Sequence, residues 1–570
     1  MKKLILLLLF IPLVSCNDDP DFYNLKIISN PIEGGVVSPS QGTYIDGEIV
    51  NIKATPNDDF VLKSWGNTTD NSISKNILMN SNKTIVANFI KNPSNELVEF
   101  LFLKSNNPNL KEDVFFEIEG NNVFAYSEFF VDPRNLIATF KHNAKSVKVG
   151  SIEQVSNKSV NNFNNLVNYE LTAANGDKKI YEVNFESFTG LPIILINTEN
   201  KKEIDSKDEY LNGELTFMGR GFETSEFTKS IKIRGRGHHT WKQPKKPYQL
   251  KFKEKTAFFD MAEDKKWILL ANYTDKTMLR TAITQELGNI SNLEWTPTSH
   301  FSEVFINGEH KGTYQISEKI EEDNHRVNVG KNGFLIEIDQ LSRMEDDDIY
   351  IESYENLYNI KFPETQMHSN EYNYFKNFIL DFEKKLFSNE FEDPINGYKN
   401  LIDLESLVDW YLINEINKND DKILKSGAFF SSVFITLKPN GKIKFGPLWD
   451  YDLAFGNINR NNNENPEGFW LKYYSSWFKQ MFKDHYFVEM VKERFLYFYS
   501  NRNYIIDFSN KLSQDLTKSR IENEKIWKTL GKSLAPVLPI GFNSFEEEQN
   551  HLNNWIIKRF EWLKNEIEIL

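Results

Sequence analysis

Asp450 and Asp452 stand two residues apart in the stretch FGPLWDYDLAFG (445–456), between aromatic and aliphatic neighbours. Two like charges in such surroundings are unfavourable unless a cation or a strong donor compensates them. The chemistry this favours is a divalent metal site at the end of a strand. The hydrophobic run 442–448 is the strand that would deliver the pair, and a Gly-containing turn at Gly456 releases the chain. Paired aspartates also cap turns, which needs no metal.

Three upstream segments point the chemistry toward phosphate. IRGRG (233–237) and PKKPYQL (244–250) place Arg234, Lys245 and Lys246 about a Gly-containing turn between strands. Such a turn offers backbone N–H groups and fixed positive charge to a polyphosphate, although basic hairpins are commonly just solvated. EVFING (303–308) is an Asn-Gly hairpin turn, and the strand after it ends in Glu318, where a carboxylate needs a cation partner. EINKNDD follows at residues 415–421, where Glu415, Asp420 and Asp421 stand at the C-terminal end of a helical run. Carboxylates are unfavourable at that end of a helix dipole unless something positive answers them. Protein kinases present a phosphate Lys, its Glu partner, a catalytic Asp and a metal Asp in this same chain order. His238 and His239 lack the Cys partners and the spacing of a metal site, and read as part of a hairpin.

The elements that must position these residues form a multidomain chain of 570 residues, long enough for three to four domains. Hydrophobic residues make up 40% of it and aromatic residues 14%, which is ample for folded cores. The net charge of −14 argues against a nucleic-acid partner. Lys2, Lys3, an apolar run from Leu4 to Val14, and Leu13-Val14-Ser15-Cys16 form a processing signal over residues 1–16. The apolar run is too short to span a bilayer, which takes ~20 residues. Its end resembles a bacterial lipobox, which implies lipidation of Cys16 and a membrane partner through that anchor. Asn17-Asp18-Asp19 resembles the surface-export signal of Bacteroidetes lipoproteins, so the expected location is the cell envelope, anchored to the outer membrane and surface-exposed. Cys16 is the only cysteine, so no intrachain disulfide can form.

Residues 24–90 alternate short strands with turn clusters such as Pro31-Ile32-Glu33-Gly34-Gly35 and Pro56-Asn57-Asp58-Asp59. The order GGxVSPxxGxYxxGExVxIxAxP resembles the divergent internalin-type B repeat, an all-β module with Trp65 as its core aromatic. Residues 95–188 form a second all-β stretch, similar to the immunoglobulin-like sandwiches that precede catalytic regions in bacterial surface proteins. Both read as stalk modules. Residues 190–570 differ: strands alternate with helical periodicity, and helices are expected over 279–290, 404–416, 475–497 and 544–569. The last opens with a capping box, Ser544 and Glu547, and carries Leu552, Trp555, Ile556, Phe560 and Leu563 on one face.

Within 190–570 the motifs IRGRG, PKKPYQLKF, WILLANY, EVFINGEHKGTYQISEKI, NEINKNDD and GPLWDYDLAFGN follow one another. This set resembles the CotH family of atypical secreted protein kinases. The resemblance implies a divergent α+β kinase-like fold with a helical C-terminal part and no standard Gly-rich loop, using ATP and Mg2+ or Mn2+. It implies transfer of the ATP γ-phosphoryl group to Ser or Thr of a protein substrate. By the family's Asn-x-Asp motif, Asp421 would orient and deprotonate the acceptor hydroxyl, with Asp420 one register away. Asp450 would ligate the metal and Asp452 would be a second ligand or support the first. Lys245 or Lys246 would approach the phosphates with Glu318 as ion-pair partner, and Arg234 would assist in cofactor binding. The family often carries Asn or Ser after the catalytic Asp, where Ser426 is nearest, so an inactive kinase fold serving as adhesin or scaffold is the alternative. A glycosidase using Asp421 and Asp450 is a further rival, which the motifs oppose.

Overall fold

The computed structural model of the protein describes residues 20–570 except 223, 225, 535–538 and 540. Cys16 and the processing signal lie outside the described residues. The chain divides into two compact units after Phe188. Among the described residues no helix is long and apolar enough to cross a membrane.

The first unit is all β. In its N-terminal part, strand Phe22–Asn30 pairs antiparallel with Gln41–Ile45 and parallel with Lys83–Lys91. Along Ile49–Pro56 the side chains alternate strictly, and Val50, Ile52 and Ala54 reach the core around Trp65 and Phe89. The Trp65 indole N–H donates to the Ser72 carbonyl at 2.7 Å, which satisfies its polar edge. In the C-terminal part, a six-stranded and a three-stranded sheet enclose Phe100, Phe102, Phe140, Tyr169 and Phe185. The hairpin joining Val167–Thr172 to Lys178–Ser187 turns through Gly176 at φ +96°, which a Cβ-bearing residue rarely adopts.

The second unit begins with seven strands closed into a barrel. Six pairings are antiparallel, and the parallel pair Ile193–Thr198 with Ser299–Ile306 closes the ring. Ile194, Phe217, Ile233, Leu250, Trp267 and Ile316 fill its interior. A five-stranded antiparallel sheet follows, in the order Tyr350–Glu352, Leu357–Phe362, Phe334–Asp339, Val433–Leu437, Ile443–Phe445. Helices Arg280–Asn289, Asn370–Leu386 and Leu404–Asn417 share one apolar core with this sheet and with the C-terminal helices.

Two elements differ from the sequence expectation. The strand expected over 442–448 stops at Phe445, because Gly446 turns at φ +105° and Pro447 has no N–H for the ladder. The single helix expected over 475–497 is two, Ser476–Met481 and His485–Ser500. Asp484 breaks it: its carboxylate accepts the Tyr486 N–H at 3.0 Å and pairs with Lys399 at 2.9 Å, so a new N-cap competes with continuation. The last helix spans Phe545–Glu568, with Ser544 as its N-cap accepting the Glu547 N–H at 3.2 Å. All five predicted core residues of that helix are buried.

Candidate active site

Helix Leu404–Asn417 is the element that brings the motifs together. Asp403 caps its start, accepting the Ser406 N–H at 2.9 Å. The Ser406 hydroxyl accepts the Phe445 N–H at 3.1 Å, fixing the helix to the last strand of the sheet. After Phe445 the chain follows the helix, and the Tyr451 hydroxyl donates to Asn414 Oδ1 at 3.1 Å. At the far end the helix stops at Lys418 in the left-handed region, φ 48°. The positive group that answers Glu415 is Arg559 of the last helix, 3.2 Å away, with both residues fully buried. Glu415 also accepts the backbone N–H groups of Trp470 and Lys472.

Beyond the helix, Asp420 and Asp421 take different roles. Asp420 is buried and accepts from Arg460 and from the side-chain amides of Asn461 and Asn463 at 2.8 and 2.9 Å. Its carboxylate is consumed in holding that loop. Asp421 lines a cavity of about 420 Å³ and is reached by Arg460 Nη2 at 3.0 Å. Burial and the Asp450 charge push its carboxyl up, and Arg460 opposes them. Asn419 ties this turn to the next motif through both ends of its amide.

Asp450 and Asp452 line the same cavity. Asp450 is held at φ +68°, a conformation that is strained for most residues though Asp tolerates it better. No donor among the described residues reaches its carboxylate. Asp452 Oδ2 accepts the Thr274 hydroxyl, and the Asn457 amide donates to both the Asp452 and Thr274 carbonyls, at 2.7 and 3.0 Å. Burial, then the Asp450 charge, push the Asp452 carboxyl well above the ordinary range. Among the described residues no group of three or more His, Cys, Asp or Glu is placed to hold a metal by itself. Two crowded carboxylates with oxygen atoms left over still suit a hard divalent cation, because Mg2+ keeps waters and takes substrate phosphates alongside one or two carboxylates.

The positive side of the cavity differs in part from the sequence expectation. Lys245 lines it, whereas Lys246, Arg234 and Glu318 do not. Lys246 donates to the Trp241 carbonyl at 2.7 Å, and Arg234 stacks over Tyr210 at 4.8 Å. Glu318 accepts the Thr298 N–H at 2.9 Å, and the charges acting on it are Arg326 and Asp264. The carboxylate acting on Lys245 is Glu303. Arg236 lies on the cavity wall over the Trp449 ring, 5.4 Å from its centroid, with Asp450 and Glu337 as the opposing charges that act on it. Its guanidinium has no acceptor among the described residues. The strand ends at Gly235, where a Cβ would meet the Trp241 ring at 2.4 Å, so Arg236 escapes the strand alternation.

Lys422 carries no motif signature beyond its neighbours, yet its buried ammonium donates to the Trp449 carbonyl at 2.6 Å and anchors the Asp450 turn. Glu337 also lines the cavity, its carboxyl pushed up to about 7 by burial against the pull of Lys361. His238 and His239 are exposed on the cavity's edge, and Ser426 is exposed outside it.

Comparison with known proteins agrees with the motifs. The CotH kinase protein family matches residues 232–563, and the divergent InlB B-repeat domain matches residues 25–93. No curated protein matches the chain. A solved structure from Bacteroides thetaiotaomicron, named as a candidate glycoside hydrolase, aligns at 12% identity over 50% of this chain and 88% of its own. Its TM-score of 0.14 carries no argument about fold or function. The family match spans more than half of the sequence and contains every residue gathered at the cavity, and the chain belongs to the CotH kinase family.

Proposed function

We propose that the second unit is a protein kinase that moves the γ-phosphoryl group of ATP to Ser or Thr hydroxyls. The observation that carries this reading is the convergence of Asp421, Asp450, Asp452, Arg236 and Lys245 on one cavity of about 420 Å³. That volume falls within the roughly 300–1,000 Å³ of small-molecule sites. Asp450 and Asp452 would hold a magnesium or manganese ion, which supplies charge neutralisation at the phosphates when bound. Arg236 binds phosphate oxygens with a guanidinium that the protein leaves unpaired, and Trp449 holds its plane. Lys245 adds a second positive group. Asp421 accepts the proton of the acceptor hydroxyl and orients it, while Arg460 keeps its carboxylate in place. Positioning and electrostatics provide most of the rate in such a site. The processing signal supports a further part of the reading: lipidation at Cys16 anchors the chain to the outer membrane, with the kinase domain facing outward.

Incorporation of labelled phosphate from ATP, with magnesium or manganese and a generic acceptor protein, tests this reading. Wild type should incorporate label, and Asp421→Asn and Asp450→Asn should each lose it. Absence of incorporation by wild type, together with no ATP-induced rise in melting temperature, would leave a non-catalytic scaffold in its place.

A further inference from the structure

Lys245 is only 1% exposed, so its ammonium must find acceptors inside the protein. It has two: the Thr313 carbonyl, in close contact, and Oδ1 of Asn523 at 2.8 Å. Asn523 belongs to helix Thr517–Trp527, more than two hundred residues away and outside every motif of the sequence analysis. The same Oδ1 accepts the Thr313 N–H at 3.3 Å, and the Thr313 hydroxyl donates to the Ser519 carbonyl at 3.2 Å. The helix is therefore fastened to the strand Glu309–Glu318 at the point where Lys245 arrives. Gly312, at φ +94°, makes the approach possible, since a Cβ there would lie 2.4 Å from Asn523 Oδ1.

An ammonium has three N–H donors, and these contacts use two of them. The residue itself lines the cavity that holds Asp421 and Asp450. We propose that Asn523 is a positioning residue for nucleotide phosphate: it holds the Lys245 ammonium so that one N–H remains for an anion in the cavity. This rests on the kinase reading above. The groups facing Lys245 are Glu303, itself paired with His310 at 2.7 Å, the Tyr314 ring at 4.6 Å, and the Thr313–Asn523 contacts. Burial, opposed by Glu303, brings the ammonium down to about 7, so it is only partly charged near neutral pH. An arriving phosphate then recharges it.

The test is calorimetric titration of ATP with magnesium into the full protein from pH 6 to 9. Wild type, Asn523→Leu, Asn523→Asp and Lys245→Met are compared, with unliganded melting as a check on folding. Wild-type affinity should fall as pH rises past neutrality. Asn523→Leu should bind roughly tenfold more weakly at pH 7, with the fall moved to lower pH. Asn523→Asp, which keeps an acceptor and adds negative charge, should move the fall to higher pH. Lys245→Met should show no such fall. A purely structural contact would change melting and leave the pH dependence of binding where it is in wild type, which overturns the inference. Failure of wild type to bind at any pH would instead overturn the kinase reading, and this one with it.

Discussion

The Asn419 side chain joins the two acidic motifs directly: Nδ2 donates to the Asp450 carbonyl at 2.8 Å, and Oδ1 accepts the Asp421 N–H at 3.1 Å. One buried amide thus sets the distance between the residue proposed as base and the turn that carries the metal carboxylates. Asn419→Ala leaves the part-buried Asp421 N–H and Asp450 carbonyl without these partners, each worth at most about 1–3 kcal/mol. We expect the urea midpoint to drop by that order and phosphoryl transfer to fall at least tenfold. Asn419→Asp keeps the acceptor and loses the donor. It should restore stability poorly and activity less, since the Asp450 turn is then released. Activity equal to wild type in both variants would show that the two turns are set independently.

Arg236 and Arg234 give a prediction of opposite signs. Arg236 lies half-buried over Trp449 with no acceptor for its guanidinium among the described residues, so little in the free protein depends on its charge. Arg236→Met should therefore leave the unliganded melting temperature unchanged or raise it, while abolishing the shift that ATP and magnesium produce. Arg234→Met removes only the stack on Tyr210 and should keep the ATP shift. A thermal-shift series of both variants, with and without nucleotide, separates the two arginines. Loss of the shift in Arg234→Met alone would reverse the assignment.

These two arginines also show what the sequence could and could not disclose. Residue types and order brought Asp421, Asp450, Asp452 and Lys245 to one cavity, because each sits at the end of a helix, strand or turn whose signals are local. Arg236 and Arg234 share a strand face by simple alternation, and only the early end at Gly235 parts them. The family resemblance pairs Glu318 with Lys245 or Lys246. The register of the barrel instead puts Glu303 near Lys245, and a barrel's closure is invisible to local pattern. The partner of Glu415 was equally hidden: its need for a cation was readable from the helix end, but Arg559 lies in the last helix. Helical periodicity continues on both sides of Asp484 and masks the break that its N-cap makes.

Arg559 and Glu415 form a fully buried pair at 3.2 Å, and Arg559 also donates to the carbonyls of Glu415, Pro466 and Gly468. Removing one partner leaves an uncompensated buried charge, which typically costs about 3–5 kcal/mol. Arg559→Met should destabilise the second unit by that amount. Arg559→Met with Glu415→Gln should be less destabilised than the sum of the single changes, because the stranded carboxylate is gone. Chemical denaturation of the four proteins gives the coupling directly, and strict additivity would show that the carbonyl contacts, not the ion pair, dominate.

Glu337 gives the pH dependence a defined sign. Its carboxyl is pushed up to about 7 by burial, with Asp339 acting in the same direction and Lys361 and Arg343 opposing. Lys361 stands 3.6 Å away and is shared with Asp348. In the unfolded chain the same group titrates near 4.5. Between these values the native state holds more of this proton than the unfolded state, so its contribution to stability is full below 4.5 and is lost as pH rises through 7. The slope from one such group is at most about 1.4 kcal/mol per pH unit. Glu337→Gln stays neutral throughout, so it should match wild type in urea stability at pH 4.5 and exceed it at pH 8. A variant less stable than wild type at pH 8 would mean that the charged carboxylate is compensated, with Arg236 and Lys361 serving it as true partners.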